Sequence, residues 1–313
     1  MEYFTVSLLN GTIYGLLLFM VSAGLTLIFG MMGVLNFAHT SFYMVGAYLA
    51  YSLQKVVGFW PAIIIAPLIV GVLGALIERY MLRRVHRYGH GHQLLLTFGL
   101  SFIIAEVIKL FYGNYPVDYR VPEALNFSAF PVFGANYPFY RLLIAGTSIV
   151  MFVLIYLLLT RTRVGIVVRA AIYRPRMVEA LGHNVPIVFM GVFGVGAALA
   201  GLAGAVAGAF YTTNPNMALE LGVIVFVVVV VGGLGSLEGA MLASLIIGLI
   251  SSFAVGIDYS LADAFALVGA REWAESVGGL MALKVSSLAA TIPFVLMLIV
   301  LLFRPTGLMG NRE

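Results

Sequence analysis

The chain has 313 residues, 62% hydrophobic and 10% charged, with a formal net charge of +4 and a mean hydropathy of +1.07. A soluble domain of this length carries far more charge, so the composition excludes a water-exposed globular protein and points to a chain solvated by lipid. The positive balance is gathered in a few loops, which reports orientation in a membrane and no affinity for nucleic acid. With no cysteine in the chain, thiolate metal sites are excluded.

Residues 1–6 carry no basic n-region, so the first apolar run reads as a retained span and not a cleaved signal peptide. A helix needs about 20 apolar residues to cross a bilayer core. Candidate spans are 7–30, 38–57, 60–80, 94–112, 138–160, 187–211, 220–235, 240–257 and 285–303. The span 220–235 is short and 30–39 is either a tight turn or a re-entrant piece, so eight to ten crossings are expected. The class is an all-α, polytopic membrane protein with a single transmembrane domain over 1–313.

The first break in the pattern is "GVLNFAHTSFYMVGAY", residues 33–48. It places Asn36 and His39 between apolar runs, where each polar group needs a partner. They either line a solute path or satisfy backbone groups at a turn. Next comes "ERYMLRRVHRYGHGHQ", whose Arg79, Arg83, Arg84 and Arg87 belong in the cytoplasm. Its His86, His90 and His92 raise a metal reading, but no carboxylate lies beside them. Glu106 and Lys109, one helical turn apart, are expected to pair. The Pro- and aromatic-rich loop 113–137 suits the outer face.

A second basic stretch, 161–186, is too polar to span and too patterned for a slack linker. Ala171, Val178 and Leu181 can form one apolar face, with Arg169, Arg176 and Glu179 elsewhere. Pro175 kinks or divides it, and Gly182 followed by Pro186 ends it. Short surface helices need support, from the chain's own membrane domain or from a partner's groove. "GVFGVGAALAGLAGAVAGAF", 191–210, then places small residues along most of a span and predicts close helix packing.

The stretch after Gly235 resembles the one after Gly33. Asn36 falls over Glu238, and Gly46 over Gly248. Such a weak internal two-fold repeat points to transporter architecture, with interrupted helices at the solute path. Candidate path residues are Gly33, Asn36, His39, Gly46, Gly235 and Glu238. The acidic segment 258–284, with Leu261, Phe265, Trp273, Val277 and Leu280, reads as external, either an amphipathic surface helix or an ordinary loop. Arg304 and Arg312 put the C-terminus inside. No GxxxxGK[ST] motif occurs, so the chain does not hydrolyse ATP through a P-loop.

"GLTLIFGMMGVLNFAHTSFYMVGAYLAY", "RTRVGIVVRAAIYRPRMVEALGHNV", "VVVVVGGLGSLEGAMLASLIIGLISS" and "LLFRPTGLMG" together resemble the Liv-type branched-chain amino-acid ABC permease family, at its LivH-like subunit. The resemblance keeps order and spacing over nearly the whole chain. It implies an importer in the bacterial cytoplasmic (inner) membrane. The solute would be a branched-chain or other hydrophobic amino acid, or a relative such as urea, an amide or an aromatic acid. Implied partners are a second, LivM-like permease, two LivG/LivF-like ATPase subunits and a periplasmic solute-binding protein. This chain then needs no cofactor, because ATP is bound by the partner subunits. The resemblance makes 161–186 the coupling segment that meets an ATPase, through Arg169, Arg176, Glu179, Ala180, Leu181 and Gly182. Three departures stand out: Thr40 where the family often has Gly, Pro175 inside the coupling segment, and a long 258–284 insert. An ion-coupled secondary transporter or channel is the alternative, and a membrane metalloenzyme a more distant one.

Overall fold

The computed structural model describes all residues except 1, 34, 87, 133–134, 258, 261–262, 264–275, 277–282 and 311–313. The helices are α1 (Glu2–Met32), α2 (His39–Val57), α3 (Phe59–Ile77), α4 (Arg83–His86), α5 (His90–Tyr112), α6 (Phe139–Arg161), α7 (Arg163–Tyr173) and α8 (Pro175–Ala180). They continue as α9 (Val185–Ala207), α10 (Met217–Gly232), α11 (Leu237–Val255), α12 (Val285–Leu288) and α13 (Ile292–Phe303). A π-helical turn, Glu78–Leu82, joins α3 to α4. The candidate spans through 240–257 each fall on one helix, and 285–303 is divided between α12 and α13. Among the described residues six helices are long and apolar enough to cross a membrane, α2 not being one of them, and α10 and α13 are shorter apolar helices. The expected all-α class has one small exception, a hairpin of β1 (Ser128–Val132) and β2 (Ala135–Pro138) in the loop read as external. There the rings of Phe130 and Tyr137 stack across the strands, a cross-strand pair that stabilises a short ribbon.

The helices sort by burial, not by hydropathy. In α1, 89% of the apolar window is buried, against 22% in α6, although both are strongly apolar. α1 is therefore the central post, with α11, α9 and α6 around it, and α6 presents most of its surface outward. α2 carries polar residues along an apolar chain, yet His39, Thr40, Ser41, Tyr43 and Tyr48 are all buried. Small residues make this packing possible, as the 191–210 pattern predicts. A Cβ on Gly15 would stand 2.7 Å from the Ser244 carbonyl oxygen of α11. Gly46 of α2 likewise presses on the backbone of Gly201 in α9. Such approach favours van der Waals fit, the main source of helix association in lipid.

The ends of the bundle are distinct. At one end the two basic stretches meet: Arg83 binds Glu78 at 2.8 Å and donates to the Pro186 carbonyl at 2.6 Å. At the other end, the Tyr119 hydroxyl donates to the Ala205 carbonyl at 2.7 Å, and Val117 pairs with Thr213. Burial raises the Tyr119 phenol above its ordinary pKa. Most of the expected external segment 258–284, including Trp273, Val277 and Leu280, lies outside the described residues. Its ends, Ser260 and Lys284, pair with each other. Lys109 and Glu106 form their pair at 2.8 Å.

Candidate functional site

The first break follows α1. Gly33 adopts a left-handed φ of +62°, which a glycine reaches without steric cost. The chain then turns on Asn36, whose Oδ1 accepts from the Ala38 N–H at 3.1 Å while its own carbonyl accepts from the His39 N–H at 3.1 Å. The Phe37 N–H is taken by Thr97 Oγ1 of α5 at 3.3 Å. His39 opens α2 and reaches back to the middle of α1, with Nε2 2.9 Å from the Val21 carbonyl. That partner can only accept, so Nε2 carries the proton and Nδ1 is left as an acceptor. The ring fits because Gly24 has no side chain: a Cβ there would meet His39 Cε1 at 2.8 Å.

Asn36 and His39 are 3% and 1% exposed. Both line a cavity of about 30 Å³ with Thr40 and Phe226. Asn36 Nδ2, a donor, and His39 Nδ1, an acceptor, have no hydrogen-bond partner among the described residues. A cavity of that size holds about one water, and these two groups are the chemistry to bind it. The first break is thus closed to anything larger in this conformation.

The second break joins α10 to α11. Gly233 and Gly235 have φ of +103° and +83°, and Ser236 Oγ caps α11 by accepting from the Gly239 N–H at 3.1 Å. Glu238 lies in the first turn of α11 and is exposed. The offset that places Asn36 over Glu238 puts the starts of the two helices, His39 and Leu237, four residues out of register. Gly46 and Gly248 do share a role, as contact points within helices: Gly248 presses on Gly11 and Gly15.

The second break packs against the last turns of α1, at its basic end. A Cβ on Gly30 would stand 3.1 Å from Gly235 Cα. A cavity of about 220 Å³ there is lined by Thr26, Gly30, Gly235 and Arg169 among others, so one path candidate and one coupling candidate share a space. The chain's tail completes the second break. The N–H groups of Leu308 and Met309 donate to the carbonyls of Val231 and Gly232, at 2.8 and 3.0 Å. Sequence reasoning missed this role of the tail and that of Thr97. Neither carries a local motif beyond Gly307, whose φ of +81° marks a turn.

In the coupling segment Pro175 divides two helices, α7 and α8, and sits at the first position of the second. Gly182, at φ +88°, ends α8. The His183 N–H bonds the Val178 carbonyl at 3.2 Å and the Gly182 N–H bonds Glu179 at 2.9 Å, a Schellman pattern. Ala171 and Val178 pack with Val185, as an apolar face toward the chain's own domain. Leu181 does not join them. It is 78% exposed, and Met177 on the same short helix is 59% exposed. Arg169, Arg176, Glu179, Ala180 and Gly182 are exposed as well. The face read as one is therefore two: one packed inward, one open. In the first basic stretch, Gln93 Nε2 meets His86 Nδ1 at 2.7 Å. No group of three or more metal-ligating side chains occurs among the described residues.

The family model for the permease component of the branched-chain amino acid transport system matches residues 7–301. The chain belongs to this family. It is a transport permease component and not an enzyme. The permease is 28% identical to the high-affinity branched-chain amino acid transport system permease protein BraD of Pseudomonas aeruginosa, over 99% of this chain and 97% of that one. It is 27% identical to the permease protein LivH of Escherichia coli K12, again over 99% and 97%. A probable LivH of Methanocaldococcus jannaschii is 29% identical over 95% of this permease and 90% of its own length. Among solved structures, PsaBC from Streptococcus pneumoniae in complex with Fab matches with a TM-score of 0.45 and 11% identity, over 95% of this chain and 91% of that one.

Proposed function

We propose that this permease is the LivH-like subunit of an ATP-driven importer in the bacterial cytoplasmic membrane. It moves a branched-chain or other hydrophobic amino acid, or a related small solute, inward. Its partners are a LivM-like permease, two ATPase subunits and a periplasmic solute-binding protein. The observation that carries the reading is the segment α7–α8. It is anchored to its own domain through Ala171 and Val178, yet it presents Leu181 and Met177 to solvent beside Arg169, Arg174 and Arg176. Exposed apolar side chains with a basic flank are what a helix offers to a groove in a partner. The cavity shared by Arg169 and Gly235 gives motion of this segment a route to the second break. The breaks at Gly33–His39 and Gly233–Gly239 border the path, since unwound backbone at membrane depth is tolerated only under protein or water.

The test is Leu181→Asp, co-expressed with the ATPases and reconstituted in liposomes. Membrane insertion and thermal midpoint stay within error of wild type, because Leu181 is exposed, while ATP-driven leucine uptake and co-purification of the ATPase are lost. Normal co-purification and uptake in that variant would refute the docking role. Wild-type uptake driven by an ion gradient without ATP would favour the secondary transporter.

A further inference from the structure

At the end of the bundle remote from the basic stretches lies the largest cavity described, about 650 Å³. It opens between the start of α1, the start of α6, α10, the end of α11 and the start of α13, within the range of small-molecule sites. Arg141 stands in its wall, in the first turn of α6. At the same end Arg120 pairs with Asp118 and Lys109 with Glu106. Arg141 has no carboxylate among the described residues. Nη1 donates to Asn10 Oδ1, and the guanidinium lies 5.4 Å from the centre of the Tyr137 ring and 5.2 Å from that of Phe210.

A guanidinium carries five N–H donors, and among the described residues they meet Asn10 Oδ1 and the Tyr137 hydroxyl, both neutral. The rings of Tyr137 and Phe210 and the Asn10 amide hold the fork in place without neutralising it. The rest of the lining is mixed, with the hydroxyl-bearing Tyr14 and Tyr211 and the aliphatic Ile13, Ile224 and Val255. A held, uncompensated fork in a chamber with aliphatic lining matches a ligand that carries both a carboxylate and a branched hydrocarbon.

We propose that this chamber is an outer solute site in which Arg141 binds the carboxylate of an aliphatic amino acid. Asn10 and Tyr137 act as positioning residues for the guanidinium. The proposal rests on the permease reading and adds to it the chemical handle by which this chain sorts solutes. Carboxylates are taken, while their uncharged amides are not, because the charge-assisted pair has no counterpart in an amide. The chamber lies at the opposite end of α1 from the small cavity at Asn36 and His39, so the solute meets Arg141 before it meets the break.

The test uses the full-length chain in nanodiscs and fluorine NMR of trifluoroleucine and its carboxamide at millimolar concentration. Wild type should broaden the acid signal and leave the amide sharp. Arg141→Gln should weaken binding of the acid about tenfold, the loss of one charge-assisted contact, and leave the amide unchanged. Arg141→Lys should fall between, and Arg120→Gln, on the same face but outside the chamber, should match wild type. A purely structural arginine would alter acid and amide alike. Equal broadening of acid and amide by wild type, or an Arg141→Gln variant that folds and still binds the acid at full strength, overturns the proposal. ATP-driven uptake by the assembled wild-type complex separates the two readings. If the complex transports leucine and Arg141→Gln transports it equally well, the outer site falls and the permease reading stands. If wild type transports no solute but binds the acid through Arg141, the site stands and the importer reading falls.

Discussion

The two breaks share a design and differ in where they find their partners. Each follows a helix, turns on a glycine with positive φ, and restarts on a side-chain oxygen that accepts a backbone N–H: Asn36 in one, Ser236 in the other. The first buries Asn36 and His39 while leaving Gly33 and Phe37 exposed, and takes its partners from Asn36 itself and from Thr97 of α5. The second lies at an edge, with Leu234, Gly235 and Glu238 exposed, and borrows Leu308 and Met309 from the tail. Buried backbone must be paired wherever it is, but the source of the pairing decides what can move. A turn pinned by an imidazole to the centre of α1 is a fixed point. A turn held by two hydrogen bonds from a terminal segment, beside a cavity that includes Arg169, is the one able to respond to the cytoplasmic segment.

Breaking the fixed point has the largest effect. Gly24→Leu drives a side chain into His39 and the Gly196 carbonyl, and overpacking of this kind costs about 3 kcal/mol. His39→Leu leaves the pocket filled but strips the Val21 carbonyl of its second donor, at about 2 kcal/mol. His39→Gln, which can still donate, should recover part of that loss. Thermal midpoints of the purified protein in detergent should fall in that order. A His39→Leu midpoint equal to wild type would mean that the imidazole is no pin, and the contrast between the breaks would disappear.

Shortening the chain after Arg304 acts on the other break. The carbonyls of Val231 and Gly232 lose their partners from the tail, a cost of about 2 kcal/mol for two hydrogen bonds. Amide exchange should accelerate at 233–239 and stay at the wild-type rate at 35–39. Equal acceleration at both breaks would show that they open together as one unit.

Much of this was legible in the sequence because lipid imposes a simple rule. A crossing helix must be apolar, so each span could be read from composition, and polar residues inside the pattern marked the break at Asn36 and His39. What was not legible depends on distant backbone. The partner of His39 is a carbonyl eighteen residues earlier, and a carbonyl has no residue identity. The tail's contact with α10 is likewise backbone to backbone. Leu181 was misplaced because a helical wheel assumes one continuous helix, whereas Pro175 divides α7 from α8 and α8 ends at Ala180, so the face drawn through Ala171 does not carry on to Leu181. The hairpin at 128–138 carries prolines in both strands, which weakens any strand signal. Arg141 was visible as a lone charge near the start of an apolar run, but its chamber is made by five helices far apart in sequence.

The smallest expected effect sharpens the comparison most. Glu238 was aligned with Asn36, and if the breaks were chemically equivalent it would do comparable work. Its position argues otherwise. It is exposed in the first turn of α11, where a carboxylate gains from the positive end of the helix by about 0.5 kcal/mol, screened by salt. The cap itself is supplied by Ser236, so Glu238→Gln removes charge and leaves the turn intact. The midpoint should drop by about that amount at low salt and by less at high salt, and uptake should change less than about twofold. Asn36→Asp, by contrast, puts a charge in a cavity about one water in size, at the cost of burying it. A large, salt-insensitive loss of uptake from Glu238→Gln would reverse the assignment, making the second break the one that reads the solute and the first merely a hinge.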